Sequence, residues 1–364
     1  MSERARGCEI EVRLGQRAYP VRVEPGLLGR LGELVAALAG VGRVVLVTDE
    51  TVAGLYGEAA ASSLRAAGME PLVVVLPAGE EHKTLATVEK IYDAALDAGI
   101  DRRALIVALG GGVVGDVAAF AAATLLRGIR VAMVPTTLLA QVDSSVGGKT
   151  GVNRPQGKNL VGAFHQPVLV AADPQTLATL PEREYRAGLA EVVKMAAILD
   201  ATLFERLEHE RRALLARDPT VLTPVVARCV QLKAEVVERD EKESELRRIL
   251  NFGHTVGHAL EQATGYSRFL HGEAVAIGMV AAARLCERLG TCGREDAGRI
   301  ERLLEELGLP TEVPADVGLQ EIERAIGHDK KAVGEKIAFV AITGVGACRQ
   351  LMLEPAEICD GLRR

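Results

Sequence analysis

The stretch Leu105-Ile106-Val107-Ala108-Leu109-Gly110-Gly111-Gly112-Val113-Val114-Gly115-Asp116 decides how the first half of the chain is read. Its five opening residues are apolar without alternation, the pattern of a strand covered on both faces in a parallel sheet. Residues 110–115 match G-x-G-x-x-G, and residues 113–126 carry a helical pattern. Glycines at a strand-to-helix turn let the backbone approach a pyrophosphate, whose charge is met by free N–H groups and by the positive end of the helix dipole. Alone, the motif describes a tight connection equally well, so the neighbouring segments have to decide.

Working outward, residues 44–47, 72–76 and 131–134 are apolar runs of the same kind, and 51–67 and 84–98 read as helices between them. The order βαβαβαβ predicts a doubly wound α/β domain with its ligand at the carboxyl ends of the strands. Residues 9–23 read as an antiparallel hairpin ahead of it. In the usual fingerprint an acid about 20 positions past the glycines takes the ribose hydroxyls, but that stretch holds Arg130 and Val131. Acids stand after the earlier strands instead, at Asp49 and in Gly79-Glu80-Glu81-His82-Lys83. The expectation is a dinucleotide laid across a sheet whose glycine turn comes late.

At 364 residues the chain fits two domains, which we place at 1–178 and 179–364. Beyond residue 181 apolar positions recur at helical spacing through 188–199, 220–238, 249–263 and 273–289, so the C-terminal domain reads as mainly α-helical, with one short β pair at 337–342 and 348–353. A net charge of -6 offers no basic face for a nucleic-acid backbone. No run of roughly 18 apolar residues spans a membrane, and residues 1–14 lack the apolar core of a signal peptide. The 6 cysteines form no CxxC pair, which argues against a disulfide framework or a thiolate zinc site and for a reducing cytoplasm.

His254 and His258, in Asn251-Phe252-Gly253-His254-Thr255-Val256-Gly257-His258, sit four apart on one face of a helix. Imidazole suits Zn2+ or Co2+, and a catalytic ion takes three protein ligands plus an open position. On spacing alone the pair reads as two ligands. A third comes from elsewhere: His271, in His271-Gly272-Glu273, or Glu191, which shares a helix face with Lys194 among apolar neighbours.

Taken together, Gly79-Glu80 with Lys83, the glycine turn through Asp116, residues 134–149 (Val134-Pro135-Thr136-Thr137 to Gly148-Lys149), Gly157-Lys158-Asn159, Glu191 with Lys194, residues 251–258 and His271-Gly272-Glu273 make the chain resemble the 3-dehydroquinate synthase family of sugar phosphate cyclases over nearly its whole length. The resemblance implies the metal ligands Glu191, His254 and His271, with His258 beside the substrate phosphate, which overrides the pairing of His254 with His258. It implies NAD contacts from Asp49, Glu80, Lys83, Gly111, Gly112, Asp116, Thr136, Thr137, Asp143, Lys149, Lys158, Thr179 and Leu180. The implied substrate, 3-deoxy-D-arabino-heptulosonate 7-phosphate, bears a carboxylate and a phosphate and needs several cationic partners. Lys149, Lys158, Asn159, Lys233, Arg247, Asn251, His258 and Lys330 match the family positions. Arg127 is implied to reach a phosphate across a homodimer interface. Val256 departs from the Phe frequent in the family, a change we expect packing to absorb.

The implied mechanism has NAD take hydride from the C5 carbinol, which acidifies the adjacent C–H and lets phosphate leave. The hydride then returns, and ring opening with an aldol closure completes the carbocycle. Asp143 and Lys149 would hold or relay protons and Lys194 would add positive charge beside the metal. Two rivals share the general plan: a metal- and NAD-dependent alcohol or glycerol dehydrogenase, and a cyclase acting on another sugar phosphate. A dehydrogenase would not need Lys149, Lys158, Lys233 and Arg247 to hold two anionic groups, and a cyclase whose substrate lacks the carboxylate would leave Lys233, Arg247 and Asn251 unmatched.

Overall fold

The structure, a computed structural model, describes residues 7–327, 332–333 and 336–363. Its contacts divide the chain into two compact units, Met1–Leu180 with Leu222–Lys242, and Pro181–Val221 with Glu243–Arg364.

The first unit is built on β1 (Cys8–Val12), β2 (Tyr19–Val23), β3 (Val44–Asp49), β4 (Leu72–Leu76), β5 (Leu105–Gly110), β6 (Arg130–Pro135), β7 (Lys149–Arg154), β8 (Gly157–Phe164) and β9 (Leu169–Ala172). Seven of these form one sheet in the order β1-β2-β9-β6-β5-β3-β4, and β7 and β8 make a separate antiparallel pair. From β2 to β4 every neighbour is parallel. β5 is buried at all its residues and β3 at all but its last, as their unbroken apolar runs require. The path runs from β3 outward to β4, then returns to the other side of β3 to place β5 and β6. The strand order therefore reverses between β3 and β5, and a crevice opens there at the carboxyl ends. This is why the glycine turn, which follows β5, comes late in the sequence.

The antiparallel pair β1–β2 and the four apolar strands stand where the sequence predicted them. The β7–β8 pair and β9, which inserts between β2 and β6, were not predicted. Nor was the break in the first helix, which divides into Glu50–Val52, a π-helical turn Ala53–Gly57 and Glu58–Ala66. Where the sequence reading gave all of 179–364 to one domain, residues 222–242 group with the first unit. Glu238 accepts from the backbone N–H of Arg13 at 2.8 Å, and Glu241 pairs with Arg17 at 2.6 Å, fastening the end of that helix to the β1–β2 connection. An amphipathic pattern reports that one helix face is covered, not which partner covers it.

In the second unit the helices are Glu182–Leu199, Ala201–Leu215, His254–Ala263, His271–Arg288, Arg294–Glu306, Leu319–Gly327 and Pro355–Asp360. The antiparallel strands β10 (Ala332–Val333), β11 (Lys336–Gly344) and β12 (Ala347–Leu353) complete it. The helices Ala201–Leu215 and Arg294–Glu306 were not predicted, because long charged runs dilute their apolar positions.

In the first unit Gln141 is fully buried, and its Nε2 donates to the carbonyls of Pro135 (3.1 Å) and Asp173 (2.9 Å) and to Oγ1 of Thr176 (3.2 Å). These acceptors follow β6 and β9, so one amide bolts the carboxyl ends of two adjacent strands together. Gln141→Leu removes a donor that both carbonyls share; Asp173 keeps the N–H and hydroxyl of Thr176, so the loss falls mainly on Pro135 and is expected to cost about 1–3 kcal/mol. A lower urea midpoint for the variant is the expected result, and an unchanged midpoint would contradict this bolting role.

Candidate active site

The nucleotide-type features lie in the first unit. The helix Gly112–Thr124 begins directly after β5 with Gly111 at its N-cap and no side chain capping it. Its first N–H groups thus have no intrahelical acceptor and face outward from the turn. A Cβ on Gly111 would stand 2.9 Å from Cγ2 of Thr137, and one on Gly115 would stand 2.8 Å from Cε of Met133. The missing side chains let the turn pack on the Thr136–Thr137 segment and the helix pack on β6. Thr136 is buried and its N–H donates to the carbonyl of Gly110 at 2.9 Å.

Around this turn Lys83 and Asp116 form an ion pair at 2.5 Å, with the lysine side chain only 6% exposed. Burial pushes the Asp116 carboxyl above its ordinary range, against the opposing charge of Lys83. Asp49 uses Oδ1 to accept from the N–H of Val52 at 2.9 Å, capping the helix after β3. Lys233, on the helix Pro219–Arg239, is buried and donates to both the backbone carbonyl and the carboxylate of Asp143. Thr179 shares a 2.6 Å hydrogen bond with Tyr56, whose hydroxyl also donates to the carbonyl of Thr176, and Leu180 closes the turn by donating to Leu177.

Glu80 is exposed and accepts from Nδ2 of Asn153 at 2.7 Å, while Oδ1 of Asn153 accepts from the N–H of Asn159 at 2.9 Å. Asn153, which the sequence reading passed over, therefore ties the Glu80–Lys83 segment to Gly157–Asn159. Lys149, Asn159 and Arg127 are exposed and Lys158 is half-buried. Leu126 and Arg127 both take left-handed backbone angles, φ 51° and 67°, which turn the chain sharply before β6. Tyr56 was also missed; its hydroxyl role depends on a fold-level encounter with residues 120 positions away or more.

The metal-type features lie in the second unit. Glu191 sits on the helix Glu182–Leu199 and is fully buried, as is Lys194 one turn on. Lys194 Nζ pairs with Glu191 Oε2 at 2.6 Å, and the other oxygen, Oε1, is buried with no hydrogen-bond donor on it. His254 and His271 are each the first residue of a helix. Their Nε2 atoms lie 3.6 and 3.8 Å from Glu191 Oε1. Nδ1 of His254 faces the carbonyl of Phe252 at 3.1 Å, and Nδ1 of His271 faces the carboxylate of Glu261 at 3.2 Å.

These partners fix the tautomers. A carbonyl and an ionised carboxylate only accept, so each Nδ1 carries the hydrogen and each neutral ring turns an Nε2 lone pair inward. Burial holds the His254 pKa well below its ordinary value, aided by Lys194, His271 and His258. Three lone pairs therefore converge on one point, an arrangement that fits a divalent cation and repels itself without one.

Close helix packing delivers the three groups. A Cβ on Gly272 would fall 1.9 Å from the carbonyl of Ala187, and one on Gly278 would fall 2.0 Å from that of Gly253. Glycine at these two points lets the His271–Arg288 helix touch the backbone of the helix carrying Glu191 and the turn that opens the helix carrying His254. His258 is exposed, and its ring nitrogens come within 4.8 Å of those of His254 and His271. It competes with Glu191 for a place in the ligand set by distance, though not by burial or charge. Arg247 is fully buried, Asn251 Nδ2 donates to Glu243 at 3.2 Å, and Lys330 lies outside the described residues.

Residues 73–187 match the family model described as 3-dehydroquinate synthase N-terminal, and residues 188–332 match that described as 3-dehydroquinate synthase C-terminal. The 3-dehydroquinate synthase of Geobacter metallireducens is 54% identical over 353 residues, 96% of this chain and 98% of its own. The chain belongs to the 3-dehydroquinate synthase family. Among solved structures, 2-deoxy-scyllo-inosose synthase complexed with carbaglucose-6-phosphate, NAD+ and Co2+ has a TM-score of 0.89 at 28% identity, covering 98% of this chain and 99% of that one. The 2-epi-5-epi-valiolone synthase of Streptomyces hygroscopicus with NAD+ and Zn2+ bound gives 0.85 at 32% identity, covering 94% and 95%. The glycine turn falls within the first of the matched ranges and the histidine cluster within the second.

Replacing Lys83 by methionine removes the cation beside a largely buried carboxylate, a change expected to lower stability by about 3 kcal/mol at neutral pH. Burial already raises the Asp116 pKa, so the charged form is the disfavoured one. The deficit relative to wild type should accordingly shrink as the pH falls and Asp116 takes up a proton. Denaturant titrations across pH test this, and a deficit independent of pH would contradict it.

Proposed function

We infer that the chain converts 3-deoxy-D-arabino-heptulosonate 7-phosphate to 3-dehydroquinate and phosphate, a phosphate-eliminating lyase reaction of the shikimate pathway. It uses NAD catalytically together with a divalent metal, zinc or cobalt. The observation that carries the metal assignment is the convergence of Glu191 Oε1 with Nε2 of His254 and His271, with Oε1 buried and lacking a hydrogen-bond donor. These three are the proposed ligands. When bound, the metal supplies Lewis-acid polarisation of the substrate's C4 and C5 oxygens, and NAD supplies a hydride acceptor that is restored before product leaves.

The chain's own residues do the rest. Lys194 is held against Glu191, where its fixed positive charge favours an alkoxide over an alcohol. Lys233 clamps Asp143, so the carboxylate that we assign to proton transfer has a set orientation and a cation beside it. Lys149, Lys158, Asn159 and Lys330 are assigned to substrate anions, and Lys233 and Arg247, with Asn251, to its carboxylate. His258, exposed at the rim of the cluster, is assigned to the phosphate rather than to the metal. Asp49, Glu80, Lys83 and Asp116, with Gly111, Gly112, Thr136, Thr137, Thr179 and Leu180, are assigned to NAD. Asp49 retains one carboxylate oxygen beyond its capping bond for that purpose.

We place the domain division at the glycine-and-sheet unit against the helical unit, the protein in the cytoplasm and the active form as a homodimer to which Arg127 contributes. The six cysteines carry no disulfide, in keeping with a reducing compartment. Among the described residues no helix is long and apolar enough to cross a membrane.

Incubation with the heptulosonate phosphate, Zn2+ and substoichiometric NAD+ should release phosphate equal to substrate consumed without net NADH. NADH accumulating in step with substrate loss would instead indicate a dehydrogenase. Release from a neutral heptulose phosphate but not from the acid would indicate a cyclase of different specificity. In parallel, Glu191→Ala, His254→Ala and His271→Ala should each lose bound metal and turnover while still binding NAD+. His258→Ala should keep a full metal equivalent, and its loss there would move His258 into the ligand set.

A further inference from the structure

Glu261 lies seven residues beyond His254 on the same helix and is 3% exposed, and it stands outside the metal ligands and the substrate and NAD contacts assigned above. Its Oε2 stands 3.2 Å from Nδ1 of His271, on the following helix. A buried carboxylate requires donors, and an acceptor at Nδ1 turns Nε2 of the same ring toward Glu191. His254 is secured in two other ways: its side chain is only 9% exposed and the backbone carbonyl of Phe252 holds its Nδ1. His271 is 33% exposed and opens its helix at the boundary with a turn. Of the two rings it is the one that solvent can rotate out of place.

We propose that Glu261 is a positioning residue for the metal: it locks His271 in the Nδ1–H tautomer and, by its charge, strengthens Nε2 as a donor. Carboxylate–histidine–metal relays of this kind orient a ligand and raise its basicity. The inference rests on the metal site proposed above and adds a residue that touches neither ion nor substrate.

The test measures Zn2+ affinity of the metal-free full-length wild type, Glu261→Ala and Glu261→Gln by competition with a chromophoric chelator, with far-UV circular dichroism and NAD+ binding as controls for folding. Glu261→Ala should bind Zn2+ about 10–100-fold more weakly. Glu261→Gln keeps an oxygen that accepts from Nδ1–H but loses the charge, so it should recover part of that affinity, and its Co2+-loaded form should show a shifted visible absorption. A purely structural role would lower stability and leave both affinity and spectrum alone. Affinities of the folded variants equal to wild type would overturn the proposal. If Glu261→Ala does not fold, Glu261→Gln decides alone, by a weaker affinity or an unchanged one. A wild type that binds no Zn2+ would remove the metal site itself, whereas binding equal in all three proteins removes only the role of Glu261.

Discussion

The helical unit is organised around a carboxylate that water cannot reach. Glu191 is buried on all sides, with Lys194 against one oxygen and two imidazole lone pairs directed at the other. An ionised group in such a place is tolerable only if opposite charge is fixed close by. Lys194 neutralises the residue from the Oε2 side and leaves Oε1 to face the two imidazoles. The nitrogens that converge on Oε1 have their own hydrogens turned away to Phe252 and Glu261. Each part of this arrangement favours a small, doubly charged ion over water or a proton. The glycines at 272 and 278 let three helices approach closely enough to build it.

The nucleotide-type unit solves a different problem with backbone rather than side chains. Reversal of strand order between β3 and β5 opens the sheet at one end, and the uncapped Gly112–Thr124 helix begins at that opening. Buried ion pairs surround the turn: Lys83 with Asp116 and Lys233 with Asp143. They fix charged groups in place before any ligand arrives, which lowers the ordering that binding must supply.

Much of this was legible in the sequence because the signals are local. Unbroken apolar runs gave β3 to β6, the glycine motif marked the turn after β5, and the failure of the usual acid at Arg130 pointed correctly to an unusual position in the strand order. The ligand set was only half legible. Spacing alone pointed to His254 with His258, and the structure does set both rings beside His271; only the family resemblance prefers Glu191, whose Oε1 lies 3.6 and 3.8 Å from Nε2 of His254 and His271, to His258. What stayed hidden depends on encounters distant in sequence. Asn153 and Tyr56 act through contacts that leave no periodic trace, Glu261 shows in the sequence only as one acid among the histidines, and β9, four residues long, is too short for a pattern to stand out. The helix that carries Lys233 looks like any other amphipathic helix of the second half.

That helix has one more implication. The chain passes from one unit to the other after residues 180, 221 and 242, so neither unit is a continuous piece of polypeptide. A ribosome cannot finish the sheet-based unit until it has made a long part of the helical one, and a fragment ending at 180 would lack the lysine that clamps Asp143. A split at the midpoint would separate residues that belong to one compact unit.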